Sequence, residues 1–269
     1  YEYSIFSWFN ENVSNSSNKK YILMGDLSLN LRYGENPHQK AEMYKKSNIK
    51  NNAFYEKLGG KDLSYNNLND LKTALNLIVE FKKPTSVIIK HSIPCGVSEA
   101  DCIEDAWKNS YLADSLSAFG GVVLFNRKVD EILANKISSI FLEVIASTSF
   151  SDSAIKILSK KSNLRIIRIK NLKSFLSRST RHISVFPNSF MVQDLDRVNV
   201  DKKMLKVVSK KSPSKKHLEE LIFAYKVVKH VKSNAIVISK NRTTVGIGSG
   251  NTSRIDSVRF AILKSSRKD

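Results

Sequence analysis

Cysteine is nearly missing: the 269 residues hold two, Cys95 and Cys102, seven apart and in no CxxC arrangement. That excludes a disulfide framework and a Cys-rich zinc site, and leaves two idle thiols in a reducing compartment. Long apolar runs are missing too. The longest, such as Ser86 to Ile89, suit buried strands and fall far short of a membrane span. The chain has no initiating Met and no basic, then apolar, leader, so a secretory signal is not expected and the chain reads as beginning mid-protein. Acidic residues are scarce, 25 against 44 Lys and Arg, for a net charge of +19. Such a balance suits nucleic acid or anionic small molecules. The basic residues are spread as isolated pairs, from Lys19-Lys20 to Lys215-Lys216, without interleaved aromatics, so compositional drift outweighs a nucleic-acid face. A hydrophobic content of 41% is that of a globular protein.

Strand-like and helix-like stretches alternate, which argues for an α/β fold. A short amphipathic helix is expected over Tyr3 to Phe9, then a polar linker. Asn69-Asp70 reads as the cap of a helix with Leu71, Ala74, Leu75, Ile78 and Phe81 on one face, ended by Lys83-Pro84. A buried strand follows at Ser86 to Ile89, then a loop from Lys90 to Gly96 and a helix around Ile103 to Ala113. Further strands are expected at Val122 to Phe125, Glu143 to Ala146 and Leu164 to Ile169, with a helix opened by Asp130 and another over Ser151 to Lys160. Residues 171–187 are polar and ambiguous, the expected subdomain boundary. Beyond them come a helix at 214–231, strands at Ala235 to Ser239 and Thr244 to Ile247, and a helix at Ser253 to Lys264. No exact internal repeat is visible.

Four clusters carry chemistry. Leu31 to Gln39 packs Arg32, Tyr33, His38 and two amides around Gly34 and Asn36-Pro37, either an anion-facing turn or a capped surface turn. Lys90-His91 follows a buried strand, where ligands bind in open α/β sheets, and an imidazole exchanges protons near neutral pH; a structural Lys–His pair is the alternative. Ser117-Ala118-Phe119-Gly120-Gly121 offers bare backbone N–H groups to a ring or phosphate, or makes a plain turn. Lys229 to Asn234 precedes Gly246-Ile247-Gly248 and Ser253-Arg254, a glycine bend entering a helix that fits neither GxGxxG nor GxxxxGKS/T.

In this order the clusters resemble the AICAR transformylase domain of the bifunctional purine-biosynthesis family. Gly60 to Asn67, Pro94-Cys95-Gly96 and Val192-Gln193-Asp194 extend the resemblance nearly continuously from residue 31 to 262. It implies a fold of tandem cytidine-deaminase-like α/β/α subdomains. Residues 1–30 would be the end of a preceding cyclohydrolase domain and a linker, 31–170 the first subdomain, and 171–269 a second, incomplete at its C-terminus. The implied reaction is formyl transfer from 10-formyltetrahydrofolate to the 5-amino group of AICAR in IMP synthesis, without metal. It occurs in a cytoplasmic homodimer with interface active sites, with neither nucleic acid nor membrane as partner. Lys90, His91 and Asn234 would be catalytic. Arg32, Tyr33, Phe119, Gly120, Gly121, Glu143, Ser253 and Arg254 would bind substrate. The sequence departs from the family at Ser115, Thr148, Asn188-Ser189 and Asn251, where the lost glycines are expected to strain backbone of positive φ by about 1 kcal/mol each. A non-catalytic remnant of the domain is the alternative reading, and a basic nucleic-acid-binding domain a distant third.

Overall fold

The computed structural model describes residues 4–6, 8, 21–46, 54–172, 181–198 and 200–266. The chain divides into two compact regions, residues 1–53 and 54–269. In the first, residues 4–6 and 8 are helical, as expected for that stretch, and the linker over 10–20 lies outside the described residues. Strands β1 (Gly25–Asn30) and β2 (Glu42–Lys46) pair antiparallel. The turn between them closes on itself: the Gly34 N–H donates to Gln39 O at 2.7 Å and the Gln39 N–H to Asn36 O at 3.0 Å.

The second region is built on β3 (Tyr55–Gly59), β4 (Thr85–Lys90), β5 (Ile93–Glu99), β6 (Val122–Phe125), β7 (Val144–Ser147), β8 (Arg165–Ile169), β11 (Ile236–Lys240) and β12 (Thr243–Gly248). They form one eight-stranded sheet in the order β11-β12-β5-β4-β6-β7-β8-β3. Strands β6, β7 and β8 run parallel, whereas β4 is antiparallel to both its neighbours. Strands β6 and β7 are buried throughout, which is why they read as unbroken apolar runs. Two strands outside the sheet, β9 (Arg181–Phe186) and β10 (Ser189–Asp194), make a separate hairpin.

Helices cover both faces. On one, α1 (Tyr65–Ile78) and α6 (Lys215–Val228) bury Leu71, Leu75 and Ile78 together with Phe223 and Val227. On the other, α2 (Ile103–Ala113), α4 (Glu131–Ser138) and α5 (Asp152–Leu158) bury Trp107, Leu133, Ile137 and Leu158 against Ile88, Val123 and Phe125. Each such side chain contributes about 1.5–3 kcal/mol on leaving water. Two further helices are the one-turn α3 (Ser115–Ala118) and α7 (Arg254–Ser265), which packs on β12.

A repeat that the sequence hides organises this region. Helix α1, the β4–β5 hairpin and α2 recur as α6, the β11–β12 hairpin and α7. Corresponding residues lie 150 positions apart as far as the hairpins: Ser64 caps α1 as Ser214 caps α6, and Gly96 sits in β5 as Gly246 sits in β12. At Gly96 an added Cβ would lie 2.0 Å from Ser110 O of α2, and at Gly246 it would lie 2.0 Å from Ala261 O of α7. Only glycine lets each helix lie so close to its strand. The hairpins stand side by side, β5 beside β12, with Ser98 Oγ and Thr243 Oγ1 2.8 Å apart.

Several expectations change. Helix α1 begins at Ser64, not at Asn69-Asp70: Ser64 and Asn67 exchange side-chain and backbone bonds in a capping box, and Asp70 lies inside the helix. The loop expected over Lys90 to Gly96 is a two-residue turn entering β5. Its sequence, with Pro94 and Gly96, reads as a loop, yet β5 lies between β4 and β12. The ambiguous segment contains β9, while residues 173–180 lie outside the described residues. No strain attends Asn188 or Ser189, since neither has positive φ; they sit in the β9–β10 turn and at the start of β10. Ser115 takes the first position of α3, where a proline would also be accepted.

Candidate active site

Strand β4 ends at Lys90, and the chain reverses through His91 (φ 53°) and Ser92 (φ 60°) into β5. Positive φ at both central residues is the signature of a type I′ turn, which matches the twist of an antiparallel pair. Neither residue is glycine, so something must hold the turn. The Asp70 carboxylate, from the second turn of α1, accepts the Ser92 N–H at 2.5 Å and lies 3.5 Å from the Ser92 hydroxyl. Burial pushes the Asp70 carboxyl up from the ordinary Asp value, against those bonds and the nearby imidazole.

Lys90 and His91 line a cleft of about 450 Å³ together with Cys95 of β5, Ser117 of α3, Ser249 and Asn251 after β12, and Phe260 and Lys264 of α7. Lys90 Nζ donates to Phe119 O at 2.7 Å, which ties the end of β4 to the Ser117–Gly121 segment. That segment is held from its other side. Asp114 accepts the Ser117 N–H at 3.0 Å and the Ser117 hydroxyl at 2.7 Å, while Lys264 Nζ reaches Asp114 at 2.6 Å. Burial works to raise the Asp114 carboxyl, but the Lys264 and Ser117 bonds outweigh it and hold the group below the usual range. Cys95 is pushed up to about 12, chiefly by burial, so it sits in the cleft as a neutral thiol.

The other expected site residues fall as follows. Phe119 is exposed, its ring 5.0 Å from that of Phe141, and Gly120 follows at φ 72° with its N–H on Phe141 O. Gly121 precedes β6, with its carbonyl accepting from the Glu143 N–H. Glu143, just before β7, accepts the Asn67 side-chain amide at 2.7 Å and faces Asp70 electrostatically, so it belongs to the α1 side of the His91 turn. Asn234 makes no hydrogen bond to His91; its side-chain amide donates to Asn251 O and Thr252 O, both at 3.0 Å. It therefore shapes the loop that brings Asn251 to the cleft. Ser253 precedes α7 without a side-chain cap bond, and Arg254 opens that helix, exposed. Arg32 and Tyr33 lie in the first compact region, the guanidinium 5.4 Å from the Tyr33 ring centre.

Sequence reasoning missed Asp70, Asp114 and Lys264. Asp70 reads as a helix cap, Lys264 as the end of a helix and Asp114 only as the residue before Ser115, and pairing across about 22 to 150 positions reveals another task. It also grouped Lys229-His230 with the chemistry. Both instead meet Glu80, at 2.7 and 3.3 Å, with Lys229 4% and Glu80 7% exposed. Burial acts to raise Glu80, but the bonds from His230 and Lys229 prevail and hold it below the usual Glu range. Among the described residues no group of His, Cys, Asp or Glu could hold a metal ion, and no helix is long and apolar enough to cross a membrane.

The layered α/β sheet, with a lysine and a histidine at the end of a buried strand above a cleft, is consistent with the AICAR transformylase fold. The family model described as the AICARFT/IMPCHase bienzyme matches residues 1–264, and the chain belongs to that family. It is 43% identical over 270 residues to the bifunctional purine biosynthesis protein PurH of Caldicellulosiruptor bescii, covering 98% of this chain and 52% of the relative. Identity is 42% over 234 residues to PurH of Acetivibrio thermocellus, covering 86% of this chain and 46% of that protein. For a Bacillus cereus PurH it is 39% over 270 residues, covering 100% and 52%. The chain thus spans about half the length of the curated relatives it matches.

Proposed function

We propose that this chain carries the formyl-transfer half of a purine-biosynthesis enzyme, moving a formyl group from 10-formyltetrahydrofolate to the 5-amino group of AICAR. The observation that carries the reading is the end of β4, where Lys90 and His91 open onto one cleft in a chain of this family. The acceptor amine is a poor nucleophile, because its lone pair delocalises into the imidazole carboxamide. His91 takes the amine proton as the new N–C bond forms at the formyl carbon. The Lys90 ammonium has three donors and commits one to Phe119 O, which leaves two for the oxyanion of the tetrahedral intermediate. Collapse breaks the bond to N10 of the folate, and the proton held by His91 passes to that leaving nitrogen.

In this reading Phe119, Gly120 and Gly121 line the base, Glu143, Ser253 and Arg254 contact the nucleotide, and Arg32 and Tyr33 are AICAR contacts assigned by their motif alone. Asn234 acts on the substrate through the loop it orders. The same proposal includes the division into a cyclohydrolase remainder and linker (1–30), a first subdomain (31–170) and a second (171–269). It also includes a cytoplasmic homodimer with interface sites, and a partner activity of IMP cyclohydrolase elsewhere in the whole protein.

The test is release of tetrahydrofolate from 10-formyltetrahydrofolate and AICAR by the full-length protein. Turnover is expected, and His91→Ala is expected to lower kcat by about 10²–10⁴-fold with the fold retained. An inert wild type overturns the reading, and near-normal turnover by the variant removes His91 from it.

A further inference from the structure

The His91 turn has a built-in holder. Two consecutive non-glycine residues in the left-handed region cost about 1–2 kcal/mol each, and a two-residue loop alone offers nothing to offset that. What meets the turn is one carboxylate oxygen of Asp70, bonded to the Ser92 N–H at 2.5 Å, with the Ser92 hydroxyl at 3.5 Å. The second repeat shows the same device. Its turn, Asn241 (φ 52°) and Arg242 (φ 55°), is held by Glu220 of α6, whose Oε1 accepts the Arg242 N–H at 2.7 Å. Asp70 is the sixth residue of α1 and Glu220 the sixth of α6, and each carboxylate binds the second residue of its turn. Two occurrences in one chain, at matching positions, make the arrangement a feature of the scaffold.

The repeats differ in what the held turn presents. In the second, Arg242 pairs with Glu99 and Asp101, and neither Asn241 nor Arg242 lines the cleft. In the first, the residue held beside Ser92 is His91, which does line it. We infer that Asp70 is a positioning residue for formyl transfer: by fixing the His91–Ser92 turn from helix α1 it sets where the imidazole stands above the cleft. The inference rests on the formyl-transfer reading and adds to it a residue outside the cleft. Acting through geometry, Asp70 is expected to affect turnover more than substrate binding, because misplacing a proton-transfer group by about 1 Å can cost about 10²-fold.

The experiment compares Asp70→Ala, Asp70→Asn and the double variant Asp70→Ala with Ser92→Gly in the full-length protein, with Glu220→Ala as control. Asp70→Ala is expected to lower kcat and kcat/KM together by about 10²-fold. Asp70→Asn, which keeps an acceptor oxygen, recovers most of that loss. So does Ser92→Gly in the alanine background, because glycine takes positive φ freely. Glu220→Ala, acting on the other turn, leaves kcat unchanged. Amide hydrogen exchange supplies a readout independent of turnover: the Ser92 N–H is expected to exchange faster in Asp70→Ala while the interior amides of β4 stay protected. Unchanged kcat in Asp70→Ala, failure of both rescues, or unaltered Ser92 exchange overturns the inference while the formyl-transfer reading stands. A wild type that transfers no formyl group overturns the reading itself and removes the catalytic task assigned to Asp70.

Discussion

The two helix–hairpin–helix repeats share a scaffold and differ in use. Each has a serine-capped helix, a carboxylate at the helix's sixth residue, a lysine ending the first hairpin strand and a two-residue left-handed turn. Each also has a glycine where the following helix presses on the second strand. The first turn carries His91 to the cleft, while the second carries Arg242 to ion pairs with Glu99 and Asp101 that fasten it to the end of β5. The lesson is that backbone geometry was duplicated and chemistry was not. One side chain at the head of a turn separates a candidate catalytic strand end from a structural one.

The largest test of that contrast makes the first turn resemble the second. His91→Asn introduces the residue found at the matching position 241. Asparagine tolerates the left-handed region, so thermal stability is expected to hold while formyl transfer falls by about 10²–10⁴-fold. Retained turnover would erase the functional difference between the turns.

The repeats also meet at matching positions, since Glu80 of the first contacts His230 of the second, with Lys229 beside it. Glu80→Ala strands a buried ammonium and is expected to cost about 3–5 kcal/mol in urea unfolding. A carboxyl whose folded pKa lies below its unfolded value adds stability that is full above the unfolded value and lost as pH falls through the folded one. Glu80 is held low, so its contribution fades as pH drops below the ordinary Glu range, and Glu80→Gln should flatten that acid limb. An unaltered limb would show that the junction is held elsewhere.

The smallest effect sharpens the likeness of the repeats. Gly96→Ala and Gly246→Ala each drive a methyl against a helix carbonyl and are expected to cost about 1–3 kcal/mol apiece by thermal unfolding. Unequal losses would mean that one helix yields where the other cannot.

Much of this architecture was legible in the residues. Elements whose patterns are set by burial fell where expected: the strands at Val122 to Phe125 and around Ser86 to Ile89, the helix at Ile103 to Ala113, and the helices starting near Asp130 and Ser151. Strand β5 was not legible, because its Pro94, Cys95 and Gly96 carry loop-like propensities and only its neighbours in the sheet make it a strand. The hairpin of β9 and β10 buries no residue fully, so the short alternation at Ile183 and Val185 marks no core face. The candidate site was half visible. Lys90 and His91 announced themselves by following a buried run, whereas Asp70, Asp114 and Lys264 look like any helix-end charge until they are paired in space.

The two Lys-His dipeptides mark the boundary between the two kinds of information. Composition, periodicity and motif order by themselves determined an α/β chain of one recognisable family, with candidate site residues at the ends of its strands. Nothing within the two dipeptides themselves distinguishes Lys90-His91 from Lys229-His230. Folding sent one pair to an open turn above a cleft and buried the other against Glu80, because the free energy of a charge depends on the water and partners around it, and those are arranged by residues far away in the chain.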